Sequence, residues 1–284
     1  MADFPLSWSI GRRTIDLSGR PCVMGILNVT PDSFSDGNSF FSYEKAVARA
    51  LEMEAQGADI IDIGGESTRP NAPPVSEQEE LNRVIPVVEA LAGRLKIPIS
   101  IDTYKASVAE AALAAGAEII NDISGLTFDS RMAEVVASAG AGLIVMHTRG
   151  TPQEMQLNTT YGDIIAEVSA ALRSSLKLAE DAGIPAGRII IDPGVGFGKD
   201  MEGNLEIIRR LSEFSELGRP VLLAASRKTF IGKITGKEPA ERLFGTAAVV
   251  AVAIYNGAAL VRVHDVLEMR DVADMAGALY GKRN

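Results

Sequence analysis

VMGILN (residues 23–28) is a short apolar run that closes on a polar residue, and the same design returns seven more times along the chain. The others are IIDIG (60–64), ISID (99–102), IINDI (119–123), LIVMH (143–147), IIID (189–192), VLLAAS (221–226) and LVRVH (260–264). Runs this continuously apolar suit strands covered on both faces, as in a parallel sheet. Between them lie amphipathic patterns at helical spacing, which predict helices over 43–56, 107–115, 164–182 and 205–217. Several helical stretches stop at a glycine that leads into the next strand: Gly57, Gly116, Gly140 and Gly257. Glycine there supplies a left-handed turn that other residues resist, so its recurrence marks a repeated β-α unit. Helix starts are signposted by the capping box Ser76-x-x-Glu79, by Asn204 and by Asp265.

Eight such units predict an α/β fold, a single (β/α)8 TIM barrel, rather than an open doubly wound sheet. Such barrels use about 250 residues, and the 284 residues present leave room for one domain over 1–284. The opening segment, 1–20, carries Trp8, Ile10, Ile15 and Leu17 in alternation around Gly11. It reads as an N-terminal β-hairpin plugging the barrel bottom, with the barrel itself over 21–284. No linker or low-complexity stretch divides the chain.

Composition narrows the partners. With 28 Lys and Arg against 37 Asp and Glu, the formal net charge is -9. This argues against nucleic acid or an anionic membrane, because both need a basic footprint. The single cysteine, Cys22, has no internal disulfide partner, and no Cys/His spacing resembles a zinc site. The N-terminal sequence lacks a signal-peptide pattern, and no apolar run is long enough to span a bilayer. These readings predict a cytoplasmic protein.

A TIM barrel carries its active site at the C-terminal ends of the strands, so the residue closing each run is the one to inspect. Those positions hold Asn28, Asp62 with Glu66, Asp102, Asn121 with Asp122, His147, Asp192, Ser226 with Lys228, and Arg262 with His264. One Asp at a strand end is commonly a helix cap. Eight filled ends are harder to explain that way. Two histidines on separate strands, with no His-x-His pair, supply a di-metal hydrolase poorly. Asp102, Asn121 and Asp192 instead offer acceptors and donors, with Lys228 as a nearby cation, which suits a flat heterocycle with amino and carbonyl edges. Arg262 and His264, two apart on the last strand, face the same side and suit an anion. A salt bridge from Arg262 to a barrel carboxylate is the alternative. The backbone N–H groups after Ser226-Arg227-Lys228-Thr229 could hold a carboxylate or phosphate, or the pair could simply be solvated. Two rim loops, TPDSFSDG (30–37) and GGESTRP (64–70), read as lids or as plain connectors.

GILNVTPDSFSDG (25–37), DIGGESTRP (62–70), SIDT (100–103), NDISG (121–125), MH (146–147), DPGVGFGK (192–199), SRK (226–228) and RVHDV (262–266) together resemble the dihydropteroate synthases, in order and along nearly the whole chain. The resemblance implies transfer of a dihydropterin methylene from 6-hydroxymethyl-7,8-dihydropterin pyrophosphate to the amine of 4-aminobenzoate, giving 7,8-dihydropteroate and diphosphate in folate biosynthesis. It assigns the pterin to Asp102, Asn121, Asp192 and Lys228, walled by Met146, Phe197 and Ile123. It assigns the diphosphate to Asn28, Thr68, Arg69, Arg262 and His264, with Asn28 also ligating Mg2+. Phe34, Thr68, Pro70, Phe197, Ser226 and Thr229 would form the 4-aminobenzoate subsite. Sulfonamides are implied as competitive inhibitors, and a homodimer formed through outer helices opposite the catalytic rim. Two positions depart from the family pattern: Ala224 stands where a glycine is expected, and Thr229 where a serine is. The rim loop also continues Asn71-Ala72-Pro73-Pro74, stiffer than many members. The alternatives are a non-catalytic pterin-binding paralogue and a methyltetrahydrofolate-dependent methyltransferase with a corrinoid partner. Arg69, Arg262 and His264 argue against the latter, which has no use for a diphosphate grip.

Overall fold

Ile60 and Ile61 are adjacent in sequence and both fully buried, yet they belong to different cores. In a strand successive side chains take opposite faces, so every apolar run here feeds one core inside the barrel and another between strands and helices. The computed structural model describes residues 7–11, 13–30, 39–67 and 72–281.

Eight strands close into a parallel barrel in the order of the chain: β3 (Cys22–Asn28), β4 (Ile60–Gly64), β5 (Ile99–Asp102), β6 (Ile119–Asp122), β7 (Gly142–Met146), β8 (Ile189–Asp192), β9 (Val221–Leu223) and β10 (Ala258–Val263), with β10 pairing back onto β3. The closing register sets Arg262 beside Met24. Around them run α1 (Ser39–Ala55), α2 (Glu77–Leu91), α3 (Ala106–Ala115), α4 (Met132–Ala139), α5 (Ile164–Asp181), α6 (Met201–Arg209), α7 (Thr229–Thr235), α8 (Leu243–Tyr255) and α9 (Val266–Tyr280). This is the α/β barrel that the eight apolar runs predict. The four punctuating glycines all have positive φ, from 63° at Gly140 to 118° at Gly116.

The hairpin is present as β1 (Ser7–Ile10) paired antiparallel to β2 (Arg13–Asp16). Trp8, Ile10 and Leu17 pack with Met24, Ile60, Ile119, Ile144, Ile190, Leu222 and Leu260, the apolar layer that fills the barrel interior from below. Trp8 Nε1 donates to the carbonyl of Arg188 at 2.8 Å, which satisfies the indole as it is buried. Two residues further along the strands, on the same inward face, the layer changes character. Ile60 gives way to Asp62, Ile119 to Asn121, Ile190 to Asp192 and Leu260 to Arg262.

Four local expectations change. The helix predicted over 205–217 is α6, which begins at Met201, followed by a 3-10 segment over Leu211–Leu217. Leu211, Phe214 and Leu217 are the buried residues there, and their spacing of three is the period at which a 3-10 turn aligns side chains. Asp200, not Asn204, caps α6, accepting from Gly203 N at 2.7 Å. Asp265 stands at the start of α9 but makes no side-chain cap. At α2 Ser76 does cap, accepting from Glu79 N at 3.2 Å, while the Glu79 carboxylate pairs with Arg83 instead of completing the box.

Candidate active site

The polar layer converges on Arg262. Its Nε lies 2.6 Å from Asp62 Oδ2 and its Nη2 lies 2.7 Å from Asp102 Oδ2. Asn121 Nδ2 donates to the same Asp62 oxygen at 3.1 Å. Four strands, β4, β5, β6 and β10, thus deliver one connected cluster, with Asp62 wholly buried and Asp102 and Asn121 nearly so. Both remaining carboxylate oxygens, Asp62 Oδ1 and Asp102 Oδ1, are buried without a hydrogen-bond partner among the described residues. Buried acceptors without donors are unusual in folded proteins and suit a ligand that brings N–H groups. Burial, more than the neighbouring Asp62, Glu80 and Asp122, pushes Asp102 up to about 7, with Arg262 pulling the other way.

The opposite side of the mouth comes from β8 and the turn after it. Asp192 is buried, and its Oδ1 accepts from Gly194 N at 2.7 Å. Lys228 reaches across from the turn after β9 to the carbonyl of Val195, and its Nζ lies 4.5 Å from the centre of the Phe197 ring. Burial lowers Lys228 to about 8, while Asp192 and then Asp102 favour its charged form. Desolvation raises Asp192, and Lys228 offsets part of that. Ile123, Met146 and Phe197 form one buried apolar cluster at this mouth, together with Met155 and the partly buried Tyr104.

The loop 193–199 takes this shape with glycine at three points, Gly194, Gly196 and Gly198, all at positive φ. A Cβ at Gly194 would lie 2.0 Å from the His147 carbonyl oxygen, and one at Gly196 would lie 2.9 Å from Lys228 Cδ. Two residues outside the sequence assignment hold the loop. Lys199, buried, donates to Gly194 O and Phe197 O, both at 2.9 Å, and meets His147 Nδ1 at 2.8 Å. Burial, then Lys199, lowers His147 to about 2, and burial also lowers Lys199 well below its ordinary value, so the contact joins a neutral ring to a destabilised ammonium. Asn204 accepts from Gly196 N and donates to the carbonyls of Lys199 and Asp200. Asn204 reads as a cap in the sequence because its type favours caps; only the fold reveals it as a loop brace.

Ser226 Oγ lies 3.0 Å from His264 Nδ1 and accepts from His264 N at 3.2 Å, so these two predicted residues meet. Thr229 opens α7 and is exposed. Asn28 ends β3 opposite Gly64, where its Oδ1 faces the Asp102 side of the mouth: an added Cβ at Gly64 would lie 3.5 Å from Asp102 Cβ and 3.9 Å from Asn28 Oδ1. Phe34, Thr68, Arg69 and Pro70 lie outside the described residues. Asp62 is the residue whose role sequence reasoning left open; its signal was there, at a strand end on the inward phase of β4. Asp122 turns away and ties the following turn, accepting from Ser124 N and Leu126 N, both at 2.8 Å.

Residues 24–264 match the family of pterin binding enzymes. The chain is 49% identical over 278 residues to the dihydropteroate synthase of Synechocystis sp., covering 98% of this chain and 96% of that protein. The chain belongs to the dihydropteroate synthase family. A dihydropteroate synthase from Clostridium difficile, solved in the presence of pteroic acid, is 48% identical and superposes with a TM-score of 0.90, covering 94% of this chain and all of that one. The Yersinia pestis dihydropteroate synthase, solved with a sulfonamide drug complex, is 41% identical with a TM-score of 0.90, covering 96% and 98%. Against the synthase pattern, Ala224 packs into the barrel-interior core below the mouth, so this departure bears on core filling and not on the polar cluster.

Proposed function

We infer that this chain acts as a dihydropteroate synthase through the cluster around Arg262. One observation carries the residue roles: Asp102, a buried carboxylate with one oxygen lacking a donor, lies beside the amide of Asn121 and the cation of Arg262, with the buried Asp192 at the same mouth. A pterin inserted there presents amino and ring N–H groups to Asp102 and Asp192, and its carbonyl edge to Asn121 and Lys228, while Met146, Ile123 and Phe197 cover its faces. Arg262 and His264 then lie on the side where the diphosphate leaves, with Arg69 and Thr68 assigned to the same anion by sequence. Ser226, Thr229, Phe34 and Pro70 are assigned to the 4-aminobenzoate.

The C–O bond from the methylene to diphosphate breaks early. Its departing charge is met by cations, while Asp102 and the electron-rich pterin stabilise the cation-like carbon. The neutral aryl amine supplies the electron pair for the new C–N bond and afterwards loses one proton to solvent. Mg2+ fits Asn28 as a single hard oxygen donor. Among the described residues no three His, Cys, Asp or Glu converge to hold a metal, so the ion would share Asn28 with diphosphate oxygens and water. Bound there it would help neutralise the diphosphate.

Formation of 7,8-dihydropteroate and release of diphosphate on mixing the two substrates with Mg2+, compared between wild type and Lys228→Ala, tests the reading. A large loss in the variant is expected; no diphosphate release by wild type would end it.

Sulfonamides are expected to compete with 4-aminobenzoate, supported by the drug complex of the Yersinia pestis relative. A cytoplasmic setting agrees with the acidic composition and the single buried cysteine; no helix among the described residues is long and apolar enough to cross a membrane. A homodimer through α8 and α9 is supported by the apolar groove between them, where Tyr255, Met275 and Leu279 are 63%, 61% and 68% exposed. Sedimentation of wild type as a dimer and of Met275→Asp as a monomer is expected.

A further inference from the structure

Arg227 holds a left-handed backbone conformation, φ 58°, one of only two non-glycine residues to do so among those described. Such a conformation strains an L-residue and persists only where the surroundings over-determine it. Here contacts arrive from three directions. The Arg227 amide donates to Thr246 Oγ1 at 3.1 Å, and its carbonyl accepts from Arg242 Nη1 at 2.9 Å. Its guanidinium grips Asp265 with two nitrogens, Nε at 3.0 Å from Oδ2 and Nη2 on Oδ1. Asp265 is the residue that could cap α9 and does not; its carboxylate is committed to Arg227.

One residue earlier on each side, Ser226 Oγ meets both the amide and the ring of His264. The turns after β9 and β10 are therefore matched residue for residue, Ser226 with His264 and Arg227 with Asp265. Lys228, whose ammonium lies over Phe197, follows at once on the first turn. Arg262 and His264 precede Asp265 on the second.

We propose that Arg227 and Asp265 are positioning residues that lock the strained turn after β9 to the turn after β10 and so fix Lys228 relative to His264. This rests on the site reading above. As a bare ion pair it would contribute little, since the Arg227 side chain is 35% exposed. Its effect comes through the turn: without the clamp the backbone at 227 relaxes toward negative φ and carries Lys228 with it. A shift of about 1 Å in a reacting group's support can lower turnover by about 100-fold.

The test is steady-state kinetics of wild type, Arg227→Ala, Asp265→Ala, the Arg227→Ala/Asp265→Ala double variant and Arg227→Gly, with thermal unfolding measured alongside. Each alanine variant is expected to lose kcat/KM by about 10- to 100-fold, in kcat as well as KM. Because the pair acts as one unit, the double variant should be no worse than the worse single within about twofold. Arg227→Gly removes the same side chain but takes positive φ without strain, so it should recover at least about threefold over Arg227→Ala. A side chain that instead touched substrate would make Gly and Ala equal. Losses that multiply in the double variant, equal Gly and Ala variants, or wild-type rates throughout would overturn the proposal. If the alanine variants do not fold, Asp265→Asn, which keeps shape and weakens the grip, is expected to lose several-fold in kcat/KM, and wild-type kinetics in it would overturn the proposal equally. A wild-type enzyme that releases no diphosphate would instead overturn the functional reading beneath it.

Discussion

Arg262 Nη2 lies 2.7 Å from Asp102 Oδ2, and the two residues stand 160 positions apart in the chain. The same guanidinium holds Asp62 through Nε at 2.6 Å. One side chain thus neutralises two buried carboxylates from neighbouring strands and faces the proposed diphosphate side. Arg262→Ala is expected to lower kcat/KM for the pterin pyrophosphate by at least about 100-fold, as losses of transition-state charge stabilisation do. It should also destabilise the fold by about 3–5 kcal/mol, because it strands buried charge. Arg262→Lys should rescue little, since a single ammonium cannot reproduce the fork that meets both carboxylates. Steady-state kinetics and urea unfolding check both; wild-type turnover in Arg262→Ala would remove the residue from the mechanism.

The pH profile follows from two desolvated groups of opposite sign. Asp102 must be ionised to accept from the pterin, and burial raises it to about 7. Lys228 must keep its proton, and burial lowers it to about 8. Since kcat/KM reports groups of the free enzyme, it should rise as pH climbs through about 7 and fall above about 8. In Asp102→Asn the acid limb should vanish from the residual activity. A flat profile from pH 6 to 9 in the wild type would contradict the assignment.

Lys228→Met tests the cation without opening a hole. The ammonium over Phe197 and its bond to Val195 disappear, but so does the cost of desolvating a charge. The expected result is an unchanged or higher melting temperature with kcat/KM lower by about 100-fold or more. A variant that loses stability and activity together would mark Lys228 as a structural strut.

The hairpin should matter for stability and not for chemistry. Trp8 is 1% exposed beneath the interior apolar layer, a full layer below the polar one. Trp8→Ala is expected to lose about 3–5 kcal/mol in urea unfolding. Its kcat at 25 °C should stay within about twofold of wild type, and a larger drop would show that the plug reaches the site.

The amino-acid sequence by itself determined the barrel, its plug and the polarity of its mouth. Strands such as IIDI, IIND and IIID alternate between two apolar cores and place a polar residue two positions after an inward-facing isoleucine, so Asp62, Asn121 and Asp192 are legible from periodicity alone. Local signals also located glycine turns and the Ser76 cap correctly. What periodicity cannot carry is who meets whom once the ring closes. Asp265 and Asn204 looked like helix caps because Asp and Asn favour caps, yet one grips Arg227 and the other braces the loop at Gly196. Whether Arg262 pairs with a barrel carboxylate was also open in sequence. In the structure it bridges Asp62 and Asp102, because pairing β10 onto β3 brings the last strand beside the first ones and sets the guanidinium between two carboxylates. Contacts across that seam depend on the register of barrel closure, a property of the whole chain, and no local stretch contains it.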